Sequence, residues 1–270
     1  METTQTQLHG FLNTPPLWTN MQFGISQFDF PSIDLGKLVP KPIPQNRRLG
    51  HQMEYVFEQL IAHSDTYKIL LQGLPVKNSE RTLGEIDFIL KVIPSNQLIH
   101  VELTYKFYII DLEISEPIHR LMGPNRRDMF FTKMEKINKE QFPLLHSPEG
   151  ILALRDNAID PERIEHRACF KAQLFVPFGS TTVSIRPLNR ACIRGYWIRF
   201  DDFNSPDYRS HNYYIPFKSQ WVIAPHEGVP WQSHRNTLME INLRMLKENA
   251  PMVWMKKTNG ELHKFFVVWW

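Results

Sequence analysis

The sequence predicts a mixed α/β (α+β) fold, and three observations carry the prediction. Two apolar runs alternate with period two across a short turn between Gly84 and Tyr108. Stretches with apolar residues at helical spacing stand on both sides of that hairpin. From about Ala168 onward the chain changes into short aromatic strands, and six of the seven tryptophans lie in that half. The division expected is a wrapping segment over 1–46, a core over 47–150, and a β-rich part over 151–270 packed on that core.

Composition narrows the class. A chain of 270 residues, 42% hydrophobic and 22% charged, has core material for one large domain or two small ones. The net charge of +3 and pI near 8.8 permit an acidic partner such as nucleic acid without demanding one. Two cysteines, Cys169 and Cys192, exclude a multi-bridge disulfide framework and an all-cysteine zinc site. METTQTQLHGF has no basic region followed by an apolar run, so no signal peptide is expected. No apolar stretch reaches the roughly 18 residues of a membrane span. A cytoplasmic protein that does not engage membrane is expected, with its oligomeric state open.

Residues 1–46 are rich in Pro, Asn, Gln and Thr, with apolar pieces at Phe11-Leu12, Leu17-Trp18 and Phe28-Asp29-Phe30. They read as a wrapping segment with one short helix, packed on the core or partly mobile. From Arg47 to His63, Leu49, Met53, Val56, Phe57, Leu60 and Ile61 recur at helical spacing. Glu54 and Glu58 stand one turn apart on a neighbouring face. Tyr67 to Val76 reads as a strand.

In the hairpin, Ile86, Phe88, Leu90 and Val92 share one face with Val101, Leu103, Tyr105 and Phe107. The opposite face carries Glu85, Asp87, His100, Glu102, Thr104 and Lys106. A one-residue slip would turn one apolar set outward, so burial fixes the parity of pairing. Two registers keep that parity. If Ile93 and Leu98 close the turn, Asp87 lies diagonal to Glu102; if Val92 pairs with Gln97, the two are directly opposed. Opposed residues sit roughly 4.5–5.5 Å apart and diagonal ones about 7–8 Å. In either register the carboxylates could share one hard divalent cation. The plainer alternative is a polar sheet face with Glu85 and Lys106 as a cross-strand ion pair.

A second helix is expected from about Asn125 to Gln141, with Asn125 as N-cap and Met129, Phe130, Met134 and Ile137 as its buried stripe. Arg126, Arg127 and Lys133 face elsewhere. Cations at a helix start are disfavoured by the dipole, so these arginines invite an anionic partner, carboxylate or phosphate. Residues 147–165 read as helix or loop. ACFKAQLFVPF, ACIRGYWIRF, NYYIPF and QWVIAP read as strands, Asn236–Asn249 as a helix with Leu238, Ile241, Met245 and Leu246 as its stripe, and PMVWMKK with HKFFVVWW as a closing hairpin. Arg194, Tyr196, Trp197 and Arg199 interleave bases with aromatics, a pattern that stacks nucleobases or fills a β-rich core. There is no phosphate loop, dinucleotide fingerprint or nucleophile elbow, and the histidines are scattered. The Asp87/Glu102/Lys106 face is the one concentrated constellation.

The order of helix with glutamate, strand, strand with Asp, strand with Glu and nearby Lys, then helix resembles the PD-(D/E)XK nuclease-like superfamily. GEIDF followed by VEL looks like the GEIDL…VEVK signature of its resolvase-like members. LGEIDF…VELTYKFY and LMGPNRRD…KMEKINKEQFPLL resemble the bacterial domain of unknown function family 1853, over most of 47–150 and loosely beyond. The resemblance implies a restriction-endonuclease-like αβββαβ core and metal-assisted phosphodiester hydrolysis, or a catalytically degenerate module that binds nucleic acid or protein. It implies Asp87, Glu102 and the helix Glu54 (Glu58 as second choice) as holders of Mg²⁺ or Mn²⁺, with Lys106 as the catalytic lysine. Arg126, Arg127 and Lys133 would contact nucleic acid. One departure is that Thr104 occupies the usual lysine position. The Cα of Lys106 would be roughly 13 Å from that of Glu102 along the strand, and Lys133 is a conceivable substitute. The reading requires an open cleft rimmed by Arg126 or Arg127; if the carboxylates are plugged by neighbouring lysines and arginines in a closed core, it fails.

Overall fold

The computed structural model describes residues 2–180 and 182–270. The N-terminal segment holds a full helix, α1 (Glu2–Leu12), and a two-stranded ribbon of β1 (Met21–Gln22) and β2 (Ile25–Ser26). Leu8, Phe11, Leu17 and Trp18 are fully buried, and the Trp18 indole donates to the Ile25 carbonyl. Large apolar anchors spaced through a polar stretch are buried, in keeping with the packed alternative of the two expected.

The helix expected over 47–63 is α2 (Leu49–Ala62), and all six residues of its apolar stripe are buried. Then come β3 (Tyr67–Lys77), β4 (Thr82–Val92) and β5 (Leu98–Ile110), each antiparallel to the one before. The tip of the β4–β5 hairpin closes with Val92 N–H donating to the Gln97 carbonyl at 2.8 Å. Asn96 takes the left-handed conformation there (φ 58), which asparagine tolerates. Of the two registers, this is the one that opposes Asp87 and Glu102.

After β5 come a short β6 (Leu121–Met122) and α3 (Phe130–Lys136). The helix starts five residues later than Asn125. Gly123 and Asp128 instead close a turn through Gly123 N–H to the Asp128 carbonyl, with Arg126 left-handed (φ 56), and the Asn125 side chain accepts from Ala250 N–H. The asparagine that looked like a helix cap serves another segment. A π-helical turn, Ile137–Gln141, joins α3 to α4 (Phe142–Leu144). Next is α5 (Pro148–Arg155), capped by the Ser147 side chain on Gly150 N–H with proline at its start.

The second half contains β7 (Ile164–Pro177), β8 (Ile193–Arg199), α6 (Phe200–Phe203), β9 (Asn212–Tyr214), β10 (Gln232–Ser233), α7 (His234–Met245), β11 (Met252–Lys256) and β12 (Leu262–Val268). QWVIAP is not a strand: Lys218–Gln220 is a 3₁₀ turn and bends follow it. Leu246 is exposed rather than part of the α7 stripe.

The chain divides into two compact units: Met1–Phe11, Pro16–Tyr105 and Thr132–Lys171 in one; Leu12–Pro15, Lys106–Phe131 and Ala172–Trp270 in the other. Within the first the strand order is β3-β4-β5-β7, and Leu71, Ile86, Ile89, Leu145, Leu154 and Ile164 belong to one core cluster. Within the second the order is β7-β8-β12-β11-β9-β10. There β8 is parallel to β7 and β12, and the remaining pairs are antiparallel. Its core is aromatic: Phe203, Tyr213 and Phe265 are fully buried together with Ile241 and Val253. The result is a mixed α+β fold with a large mixed sheet. Among the described residues no helix is long and apolar enough to cross a membrane.

Candidate functional site

The site of interest forms where β4 and β5 part. Their pairing runs from Lys91↔Leu98 to Phe88↔Val101 and stops there. One step further the same register sets Asp87 opposite Glu102. The Leu103 N–H, free of a ladder partner at this point, donates to Asp87 Oδ2 at 2.9 Å. The Asp87 side chain therefore fills the gap that the diverging strands leave.

The polar face of the hairpin is solvated at Glu85 but not along the middle of β5. His100, Glu102 and Thr104 are all buried, and Lys133 and Gln141 of the following helical segment reach Glu102. Lys133 Nζ donates to Glu102 Oε1 at 3.3 Å and to Gln141 Oε1 at 2.8 Å. Gln141 Nε2 also donates to Glu102 Oε1. Gln141 ends the π-helical turn, and such turns re-aim side chains that an unbroken α-helix would rotate away. Alternation alone announced the face but gave no sign of this cover. Gln141 was missed because it stands two turns beyond Lys133 with nothing to mark the change of pitch.

Three alternate residues of β5 each carry a buried polar atom with no hydrogen-bond partner among the described residues: His100 Nε2, Glu102 Oε2 and Thr104 Oγ1. An orphaned buried group costs about 1–3 kcal/mol, so a row of them marks a place for a polar ligand, ion or water. Burial, the Glu102 carboxylate and, more weakly, Glu54 push the Asp87 carboxyl well above its ordinary range, against the lowering effect of the Leu103 N–H and Lys133. Burial also raises Glu102, with Lys133 and Gln141 opposing it. The Asp87 shift reports burial with a second carboxylate beside it, and the Glu102 shift reports burial alone.

The remaining sequence candidates fall as follows. Glu54 is close enough to Asp87 to act on its charge and is bonded to His51 at 3.2 Å. Glu58 accepts from Gln72, so Glu54 is the helix glutamate associated with the pair. Lys106 donates to Asp128 at 2.6 Å, not to Glu85. Arg126 pairs with Asp111 at 3.1 Å and lies over the Trp270 ring; Arg127 pairs with Glu248. Lys106, Arg126 and Arg127 belong to the second unit and have carboxylate partners there. Three of the 11 histidines, far apart in sequence, come together in space. His100 Nδ1 lies 3.0 Å from His166 Nδ1, and His166 Nε2 lies 3.1 Å from His146 Nε2. Burial and the neighbouring imidazoles push His100 down to about 3 and His166 to about 4.

Among the described residues no three His, Cys, Asp or Glu side chains form a ready-made metal set. Mg²⁺ is commonly held by one or two carboxylates, with water and substrate phosphate completing its shell. Asp87 and Glu102 are two carboxylates close enough to repel each other, one of them with an orphaned oxygen, and that donor chemistry fits the requirement.

A family model described as "Domain of unknown function (DUF1853)" matches residues 6–268. The chain belongs to the DUF1853 family. No curated protein and no solved structure matched it. For this DUF1853 chain the match spans both units, so the aromatic second half is as much part of the family as the hairpin. Chemistry must be argued from the DUF1853 chain's own residues.

Proposed function

We propose that this protein is a PD-(D/E)XK-like, metal-dependent phosphodiesterase acting on nucleic acid, with a restriction-endonuclease-like core running from α2 to β7. The observation that carries the reading is the opposition of Asp87 and Glu102 at the opening of the β4–β5 ladder, with Glu102 Oε2 orphaned and Lys133 on its other oxygen. In this reading Asp87 and Glu102 hold Mg²⁺ or Mn²⁺, and Glu54 supports the pair from α2. When bound, the ion lowers the pKa of its water and stabilises charge on the phosphate. Lys133 takes the lysine role that Thr104 vacates in β5, offsetting negative charge that develops beside Glu102. Gln141 positions both Lys133 and Glu102. The cytoplasm, where both buried thiols stay reduced, is the proposed location.

One observation favours a second reading, a catalytically degenerate module that binds nucleic acid or protein. The Glu102 side chain is 2% exposed and Lys133 only 16%, so the acid is already covered by a cation and an amide. Cleavage of labelled DNA and RNA with Mg²⁺ or Mn²⁺, comparing the native chain with Asp87→Ala, separates the two. Metal-dependent cleavage lost in Asp87→Ala supports the enzyme. Equal cleavage in both sinks it, and nucleic-acid binding without cleavage selects the second reading.

A further inference from the structure

We propose that the cleft beside the end of β8 binds a guanidinium group, of the kind an arginine side chain presents. It lies wholly in the second unit, includes Trp197 and Arg199 of the aromatic and basic stretch on β8, and has a volume of about 410 Å³. Its apolar wall is aromatic: Trp197, Tyr208 and Phe178. Phe178 follows β7, is 61% exposed, and is held by its N–H on the Trp197 carbonyl at 3.0 Å. Its ring lies 5.0 Å from that of Tyr196 and 6.4 Å from that of Tyr208. An exposed ring fixed at a strand end and backed by other rings offers a ready face for a flat cation.

The charge in the cleft supports the same ligand. Glu113, Asp202 and Asp207 line it, with Arg199 as the single cation. That leaves two negative charges in excess on a chain whose net charge is +3. Arg199 donates to Glu113 at 3.1 Å. Among the described residues the side chains of Asp202 and Asp207 make no ion pair or hydrogen bond, and both lie near enough to the Tyr208 hydroxyl to add to the rise in pKa that burial chiefly causes. The protein's own Arg199 is the precedent: a guanidinium held at this cleft by one carboxylate, with two further carboxylates unused. A planar guanidinium can stack on a ring and meet a carboxylate in two parallel hydrogen bonds, which an ammonium cannot do.

The test is calorimetric titration of the full chain with N-acetyl-argininamide, its neutral isostere N-acetyl-citrullinamide, and an arginine-containing tripeptide. The argininamide should bind saturably and the citrullinamide at least about tenfold more weakly, the loss of one charge-assisted stacked contact. Asp202→Asn with Asp207→Asn, and separately Phe178→Ala, should each weaken argininamide about tenfold or more; all three positions are exposed, so the fold should survive. Tighter binding of the tripeptide points to a peptide source, and equal binding to a free small molecule. Equal affinity for argininamide and citrullinamide, no saturable binding of argininamide, or undiminished binding by the variants would overturn the proposal.

Discussion

Lys133 and Glu102 stand 31 positions apart, yet Lys133 Nζ lies 3.3 Å from Glu102 Oε1 with both side chains largely out of water. Removing one partner leaves an uncompensated buried charge. Lys133→Met should therefore destabilise the protein by about 2–4 kcal/mol, measured by urea unfolding. Adding Glu102→Gln to Lys133→Met should recover a large part of that loss, so the double-mutant cycle should show coupling well above 0.5 kcal/mol. Additive losses would mean that the pair does not interact.

Asp87 gives a pH signature. Its folded-state carboxyl titrates well above the ordinary aspartate range, chiefly through burial and Glu102. The native state then holds a proton that the unfolded chain releases, so this group's stabilising contribution is complete below the unfolded pKa and falls as pH rises through the folded one. Asp87→Asn should be more stable than the native protein at neutral pH, and the difference should shrink on acidification. Chemical denaturation across that range reads it directly.

The second unit predicts the opposite slope. Lys264 is buried with its ammonium on the Gln173 side chain at 2.5 Å and the Trp221 carbonyl at 3.0 Å, and among the described residues it has no carboxylate partner. Burial, helped by the Arg194 cation, pushes it down to about 7. Between that value and the ordinary lysine pKa the unfolded chain binds the extra proton, so stability should rise with pH. Lys264→Met should flatten this rise, and identical slopes in the two proteins would contradict it.

Gly195 on β8 leaves no room for a side chain. A Cβ there would collide with the Lys264 backbone carbonyl of neighbouring β12 and press on the Phe175 ring. Gly195→Ala should cost about 1–3 kcal/mol, visible as a lowered Tm, because the backbone of a paired strand must move.

Much of the first unit was legible because period-two and period-3.6 patterns report which residues share a face. The α2 stripe and the alternation of Phe88, Leu90, Val101 and Tyr105 placed helix and hairpin. Parity restricted the register, and the Val92–Gln97 turn chose between the two remaining options. What lies over a face is a tertiary fact, and alternation is silent about it. Lys133 was only a substitute candidate, and Gln141 depends on a π-helical turn that no local signal announces. Asn125 misled because a capping residue looks the same whether it caps a helix or serves Ala250. QWVIAP misled because an apolar run can bury Trp221 and Val222 from a 3₁₀ turn as well as from a strand. The histidine chain joins three separate segments at His100, His146 and His166, so sequence spacing carries no trace of it.

The central claim is that Asp87 and Glu102 together hold a divalent cation. Mn²⁺ titration followed by electron paramagnetic resonance tests it without requiring a substrate. The account predicts one Mn²⁺ site in the native protein, displaced by excess Mg²⁺ and lost in both Asp87→Asn and Glu102→Gln. A native protein that binds no Mn²⁺, or variants that bind it as the native chain does, would contradict it.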